Sequence, residues 1–248
     1  MASNEKIIAV WGSPYSGKTT FALKLAQALH EKHHAMVIVL FTNINTPSLP
    51  VIFPNHKSSD IYSVGTVLSK TDIFQNDVVA NTVTLKESMN LGFLGYRSGE
   101  NHYSFPEYTS EKANSLLYVL CEIADYVVVD CMSNPDDSIL SGTAMRNAGI
   151  LFKLCTPDLA CLSFYQSQNP ILLTGGFIPE KQIQIMNIPR ADLAMLSGDA
   201  GAHLGRFEQL IPYSQKVREQ YLEGSLSMPT KDRKYMRALR AVVGMVRR

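Results

Sequence analysis

The stretch Gly12-Ser13-Pro14-Tyr15-Ser16-Gly17-Lys18-Thr19 has the spacing G-x-x-x-x-G-K-[ST], followed by a second hydroxyl at Thr20. Glycines at the two ends let the backbone curl until successive N–H groups face inward, and a helix opening at Lys18 adds its partial positive charge. This chemistry suits a chain of phosphates. Lys18 is placed to reach the outer phosphates, and Thr19 to offer its hydroxyl to Mg²⁺, which takes hard oxygen donors in near-octahedral geometry. The bland alternative, a tight strand-to-helix turn, leaves Lys18 as an unexplained cation at a helix start, where the macrodipole disfavours it. Asp130 closes the apolar run Tyr126–Val129 and so emerges at the carboxyl end of a strand, where ligands bind in open α/β sheets. It is the acidic partner expected for the metal, with a turn cap as the alternative. Asp136 and Asp137 stand in the following loop, and a solvated turn explains them equally well.

These residues need strands and helices to hold them, and the chain supplies both in alternation. Apolar runs at Lys6–Trp11, Ala35–Thr42, Leu91–Tyr96, Tyr126–Asp130, Ile150–Thr156 and Gln182–Asn187 read as strands. Helices are expected at Lys18–His30, Ser110–Ala124, Asp158–Gln168, Tyr213–Glu223 and Asp232–Val246. Several strands are continuously apolar rather than alternating, which suits a sheet covered on both sides. The expected fold is therefore α/β and doubly wound, a mainly parallel central sheet with helices on both faces, in one P-loop nucleotide-binding domain over residues 1–248. Between Asn43 and Ser59 three prolines argue against a regular helix and predict a long surface loop after the second strand.

The composition narrows the class. A net charge of +1 provides no global field for nucleic acid or anionic lipid. Cys121, Cys131, Cys155 and Cys161 lack metal-ligand or framework spacing and read as reduced, structural thiols. No run approaches the length of a membrane span, so a cytoplasmic protein is expected. The last eighteen residues, Lys231–Arg248, hold seven Lys or Arg with an apolar stripe at helical spacing. That stripe is expected to pack on the domain, with membrane contact through this C-terminal helix as the alternative.

The order of the phosphate loop, the loop after the second strand, Tyr126–Asp130, Thr156-Pro157-Asp158-Leu159, Asn187 and Leu210-Ile211-Pro212-Tyr213 resembles the ParA/MinD group of deviant P-loop ATPases, with a weaker likeness to its CpaE and TadZ branch. The resemblance spans nearly the whole chain. It implies ATP and Mg²⁺ as ligands, with Gly12 to Thr20 around the phosphates, Lys18 and Asp130 as the catalytic pair, and Thr19 and Asp130 on the metal. It further implies that Asn187 reads adenine, a strand-end turn being the alternative role, and that Pro212 and Tyr213 lie beside the base. A homodimer across two nucleotides and an unidentified protein partner are implied as well; DNA, as in true ParA partners, would need a basic surface the chain does not otherwise advertise.

Two positions depart from the family pattern. Ser13 stands where the group carries a signature lysine that reaches across its dimer, and Asn43 stands in a stretch where an Asp orients the attacking water. Losing a cationic finger costs about 10³–10⁵ in phosphoryl-transfer rate. The expectation is a switch protein that localises or regulates a cellular machine of partition, pilus or secretion type and hydrolyses ATP slowly. A non-hydrolysing nucleotide-dependent scaffold is the alternative, and a P-loop small-molecule kinase ranks last for want of an arginine-rich lid. Arg97 and Arg146 are weighed as charges near the phosphates, against plain surface roles.

Overall fold

The computed structural model describes residues 4–55, 62–85, 88–196 and 204–246. In chain order the elements are β1 (Ile7–Gly12), α1 (Lys18–His33), β2 (Val37–Phe41), α2 (Leu49–Ile52), α3 (Val64–Leu68), α4 (Gln75–Ala80), β3 (Val83–Leu85), β4 (Ser88–Leu94), α5 (Ser110–Ile123) and β5 (Tyr126–Asp130). They continue with α6 (Ile139–Asn147), β6 (Ile150–Cys155), α7 (Leu159–Thr174), β7 (Gln182–Asn187), β8 (Gln209–Ile211), α8 (Gln215–Leu222) and α9 (Arg233–Val243). The eight strands form one sheet in the order β3-β4-β2-β5-β1-β6-β7-β8, parallel except for the β3–β4 edge pair.

The continuous apolar runs work as predicted because each strand feeds two cores. In β1, Ile7, Ala9 and Trp11 face one side of the sheet with α5, α6 and α7, while Ile8 and Val10 face the other with α1 and α9. Every residue of β1, β2 and β5 is buried. β1 sits between β5 and β6, with Val10 opposite Asp130 and Gly12 opposite Leu154. The phosphate loop therefore leaves the middle of the sheet directly beside the strand end that carries the acid.

Three expectations need correction. The proline-rich stretch is not simply a surface loop: α2 is a single helical turn with a proline in its first turn, where no N–H is required, and Leu49, Ile52 and Phe53 are buried. Phe53 stacks edge-on against Phe93 with ring centroids 5.1 Å apart. Positions 56–59 of the expected loop lie outside the described residues, as do positions 247–248 of the basic terminus. Second, α7 runs beyond Gln168 through Pro170 to Thr174, anchored by buried Leu172. Third, α3, α4, α6, β3 and β8 were not expected; all are short or carry few periodic apolar positions.

The C-terminal stripe packs on the domain. Tyr235, Leu239, Val242, Val243 and Val246 are buried in the core shared with α1. All four cysteines are buried free thiols. No helix among the described residues is long and apolar enough to cross a membrane.

A buried lysine ties this end of the chain to α1. Lys24, 1% exposed, donates to the Leu226 carbonyl at 2.9 Å and the Met228 carbonyl at 2.7 Å, and Gln27 donates to the Ser227 carbonyl at 2.5 Å. Burial lowers the Lys24 pKa to about 7, partly opposed by Glu31. The folded state thus binds fewer protons here than the unfolded chain between about pH 7 and the ordinary lysine value, so this residue's contribution to stability rises with pH across that window. Lys24→Met should remove that rise: in urea unfolding, the variant should lose stability relative to wild type as pH goes from 7 to 9.5. A difference that stays constant across those pH values would contradict the assignment.

Candidate functional site

After β1 the chain turns through a loop whose geometry is set from behind. Ser16 N–H and Oγ both donate to the Ser13 carbonyl, at 3.3 and 2.7 Å. Gly17 has φ +82°, and a Cβ there would stand 2.7 Å from Asn187 Nδ2, so both conformation and space demand glycine. Gly12 is equally constrained, since a Cβ would meet the Leu154 carbonyl oxygen at 2.3 Å. Gly17 caps α1 without a side chain, which leaves N–H groups of the first turn directed at the loop's concavity for a ligand to satisfy.

Lys18 Nζ donates to the Gly12 and Ser13 carbonyls at 3.2 and 2.9 Å and to Ser133 Oγ at 2.8 Å. All three partners are neutral oxygens, and no carboxylate lies within ion-pair distance among the described residues. Burial lowers its pKa, with Asp130 and Cys131 pulling the other way. Thr19 Oγ1 donates to Asp130 Oδ2 at 2.6 Å. Asp130 is 4% exposed, and burial raises its pKa to about 6 against the pull of Thr19 and Lys18. Thr42 Oγ1 fastens the Asp130 backbone by donating to its carbonyl at 2.8 Å. A hydroxyl and a carboxylate side by side are hard oxygen donors that fit Mg²⁺, and an unpaired cation above open helix N–H groups fits phosphate.

These groups open into a cavity of ≈ 690 Å³. Of the residues expected around a nucleotide, Pro14, Tyr15, Gly17, Lys18, Thr19, Thr20, Asp130 and Asn187 line it. Gly12, Ser13 and Ser16 form the loop's inner support; Pro212 and Tyr213, expected beside the base, do not line the cavity, whereas the adjacent Ser214 does. Tyr213 OH is engaged with Gln215 Oε1 at 2.5 Å. Asn187 donates from Nδ2 to the Ser16 carbonyl at 2.6 Å and so braces the phosphate loop from the end of β7. Tyr15 holds φ +60° and is 96% exposed at the cavity rim; a non-glycine residue there costs on the order of 1–3 kcal/mol.

The departures also take physical form. Ser13 is 2% exposed with its hydroxyl beside the Cys161 thiol, so position 13 points into the protein. Asn43 lines the cavity, but its Oδ1 accepts the Asn45 and Thr46 N–H groups at 2.9 and 3.0 Å. Arg97 pairs with Glu100 at 2.8 Å, and Arg146 lies over the Phe177 ring at 5.1 Å; neither lines the cavity. Sequence reading missed Ser133, the lysine's side-chain partner, and the cavity arginines Arg190 and Arg218. The position of Arg218 one turn into the helix after Ser214 was the available signal.

No family model matches the chain, and no curated protein matches it by sequence. Solved structures do. A ParA family ATPase from Chlorobium tepidum TLS superposes with a TM-score of 0.77 at 16% identity, covering 94% of this chain and 97% of that one. The septum site-determining protein MinD from Pyrococcus horikoshii OT3, complexed with Mg-ADP, gives 0.69 at 18% identity over 94% and 92%. A putative plasmid partition protein from Borrelia burgdorferi B31, bound to AMPPNP, gives 0.71 at 12% identity over 96% and 97%. The likeness establishes the P-loop α/β fold these ATPases share, over almost the entire chain.

The raised Asp130 pKa has a measurable consequence in the ligand-free protein. The folded state holds more protons here than the unfolded chain between about pH 4 and pH 6, so its contribution falls as pH rises through that window and stays low above it. Asp130→Asn should therefore stabilise the ligand-free protein at pH 7.5 by about 2–3 kcal/mol, with the gain gone near pH 4. Thermal unfolding at the two pH values checks this; a gain that persists at pH 4 would reject it.

Proposed function

We propose that this chain is a ParA/MinD-type nucleotide switch: it binds Mg-ATP in the ≈ 690 Å³ cavity, pairs with a second copy across the nucleotide, and in that state localises or regulates a cytoplasmic machine. The observation that carries this reading is Lys18, a cation drawn out of water whose hydrogen bonds all go to neutral oxygens, above a helix start with no side-chain cap. Such a site is completed by an anion that also meets Thr19 and Asp130. Neighbours described with Mg-ADP and with AMPPNP support a nucleotide as that anion.

Bound Mg²⁺ would supply charge neutralisation between the outer phosphates. The chain's own groups divide the remaining work. Lys18 carries the mobile cationic head, Thr19 and Asp130 hold the metal side, and the loop braced by Asn187 keeps the phosphate cradle closed. Ser133 Oγ accepts from Lys18, so an incoming phosphate would take the ammonium from it. The segment following Asp130 then shifts between two sets of partners, the local event from which a switch is built.

Hydrolysis is proposed to be slow. Ser13 faces inward and Asn43 uses its oxygen to hold its own loop, so neither offers a cationic finger or a base. The same two observations favour a second reading, a non-hydrolysing scaffold in which nucleotide binding alone drives assembly.

Lys18→Ala should weaken fluorescent ATP-analogue binding by about 10–100-fold, the worth of a charge-assisted contact. Phosphate release by wild type above the Lys18→Ala background selects the switch, and equal rates select the scaffold. Wild type that binds no adenine nucleotide in the presence of Mg²⁺ would refute both.

A further inference from the structure

Behind the segment that follows Asp130 lies a second cavity, of ≈ 310 Å³. Its wall is aromatic: Tyr96, Phe105 and Tyr108 line it, with the Tyr96 and Phe105 ring centroids 6.4 Å apart. Gly65 sits beneath Phe105 so closely that a Cβ would stand 2.2 Å from the ring, so this aromatic is seated directly on the α3 backbone. Its charge is one-sided. Glu107, Asp136 and Asp137 line the cavity and no lysine or arginine does; His102, which also lines it, is engaged through Nε2 with Asn45 Oδ1 at 3.0 Å. Glu107 and Asp136 have no side-chain hydrogen bond or ion pair among the described residues, whereas Asp137 accepts from Asn134 Nδ2 at 2.7 Å. No three acidic, histidine or cysteine groups among the described residues lie close enough to hold a metal ion.

Aromatic faces attract cations through their quadrupole, and nearby carboxylates add the counter-charge. A metal ion would need converging oxygens instead, and a neutral apolar ligand would draw nothing from Glu107 and Asp136, which stand exposed. We propose that this cavity binds an organic cation the size of an arginine side chain, its charge met by Glu107 and Asp136 and its stem laid along the aromatic wall. The volume is at the lower end for small-ligand pockets, which suits one such group.

The two cavities share a wall. Asp137 lines both, Ser133 in the same segment accepts from Lys18, and the Ser133 carbonyl accepts from Trp11 Nε1 at 2.8 Å. A cation that fixes residues 133–138 thereby biases the partner of Lys18, and by linkage a nucleotide biases the cation to the same degree. This coupling rests on the nucleotide reading above, while cation binding itself does not.

Calorimetry on the full chain with agmatine, with the peptide Gly-Gly-Arg-Gly-Gly and with its glutamate counterpart tests the proposal without nucleotide. The expected result is millimolar or tighter binding of the guanidinium probes and none of the glutamate peptide. Binding should weaken about tenfold in the Glu107→Gln/Asp136→Asn double variant and severalfold in Tyr108→Leu. A peptide tighter than agmatine assigns the cation to a protein partner, and the reverse assigns it to a free amine. No binding to wild type at ~10 mM, or equal binding to the double variant with unchanged circular dichroism, overturns the proposal. The coupling is read separately, as a shift of about threefold or more in ATP-analogue affinity at saturating cation, accompanied by a change in Trp11 fluorescence. An unchanged affinity removes the coupling and leaves the cation site standing; failure of nucleotide to bind at all falls on the nucleotide reading alone.

Discussion

Thr19 and Asp130, 2.6 Å apart, join the first turn of one helix to the end of a strand more than a hundred residues later. That contact exists only because β1 and β5 are neighbours with Val10 opposite Asp130. The register in turn depends on strands apolar on both faces, since a slip of one residue would exchange the two cores. The sheet's hydrophobic pattern therefore fixes a polar distance of one hydrogen bond at its upper edge. Around that point the fold concentrates charge where water is scarce, raising Asp130 and lowering Lys18 toward their neutral forms. Groups held away from their preferred charge states mark this edge as a candidate binding site.

The rest of the edge is arranged to keep the loop from relaxing. Asn187 reaches the Ser16 carbonyl, Gly12 abuts β6, and Gly17 has room for no side chain. Pro14 and Tyr15 escape this packing, and Tyr15 is held in a left-handed conformation with its ring in solvent. On the opposite side of α1, Lys24 and Gln27 clamp residues 226–228, so the phosphate-loop helix is fixed along its length by the C-terminal part of the chain.

How much of this the sequence disclosed depended on whether the information was local. Tyr126–Asp130 was legible to the residue because an uninterrupted apolar run ends on a carboxylate, and Gln182–Asn187 because it ends before Ile188-Pro189. The phosphate loop was legible because its glycines and lysine have fixed offsets. β3 and β8, with three residues each, are too short to show a period. α2 was hidden because prolines forbid helix interiors but not first turns. Among site residues, Ser133 carries no pattern that marks it as the lysine's partner, and the Asn187 brace spans 171 positions. Asn43 was legible as a departure from an acidic pattern, but its engagement with its own loop was not.

The three oxygens that accept from Lys18 have one more implication. A phosphate bound in the proposed way would compete with them for the ammonium, and on leaving would return it to them. Self-occupancy of this kind lowers the apparent affinity by the fraction of time the ammonium is already served, and it lowers the barrier to departure by offering the cation an immediate replacement. On the nucleotide reading proposed above, a cradle built this way would exchange its contents readily and hold whichever nucleotide its surroundings supply in excess.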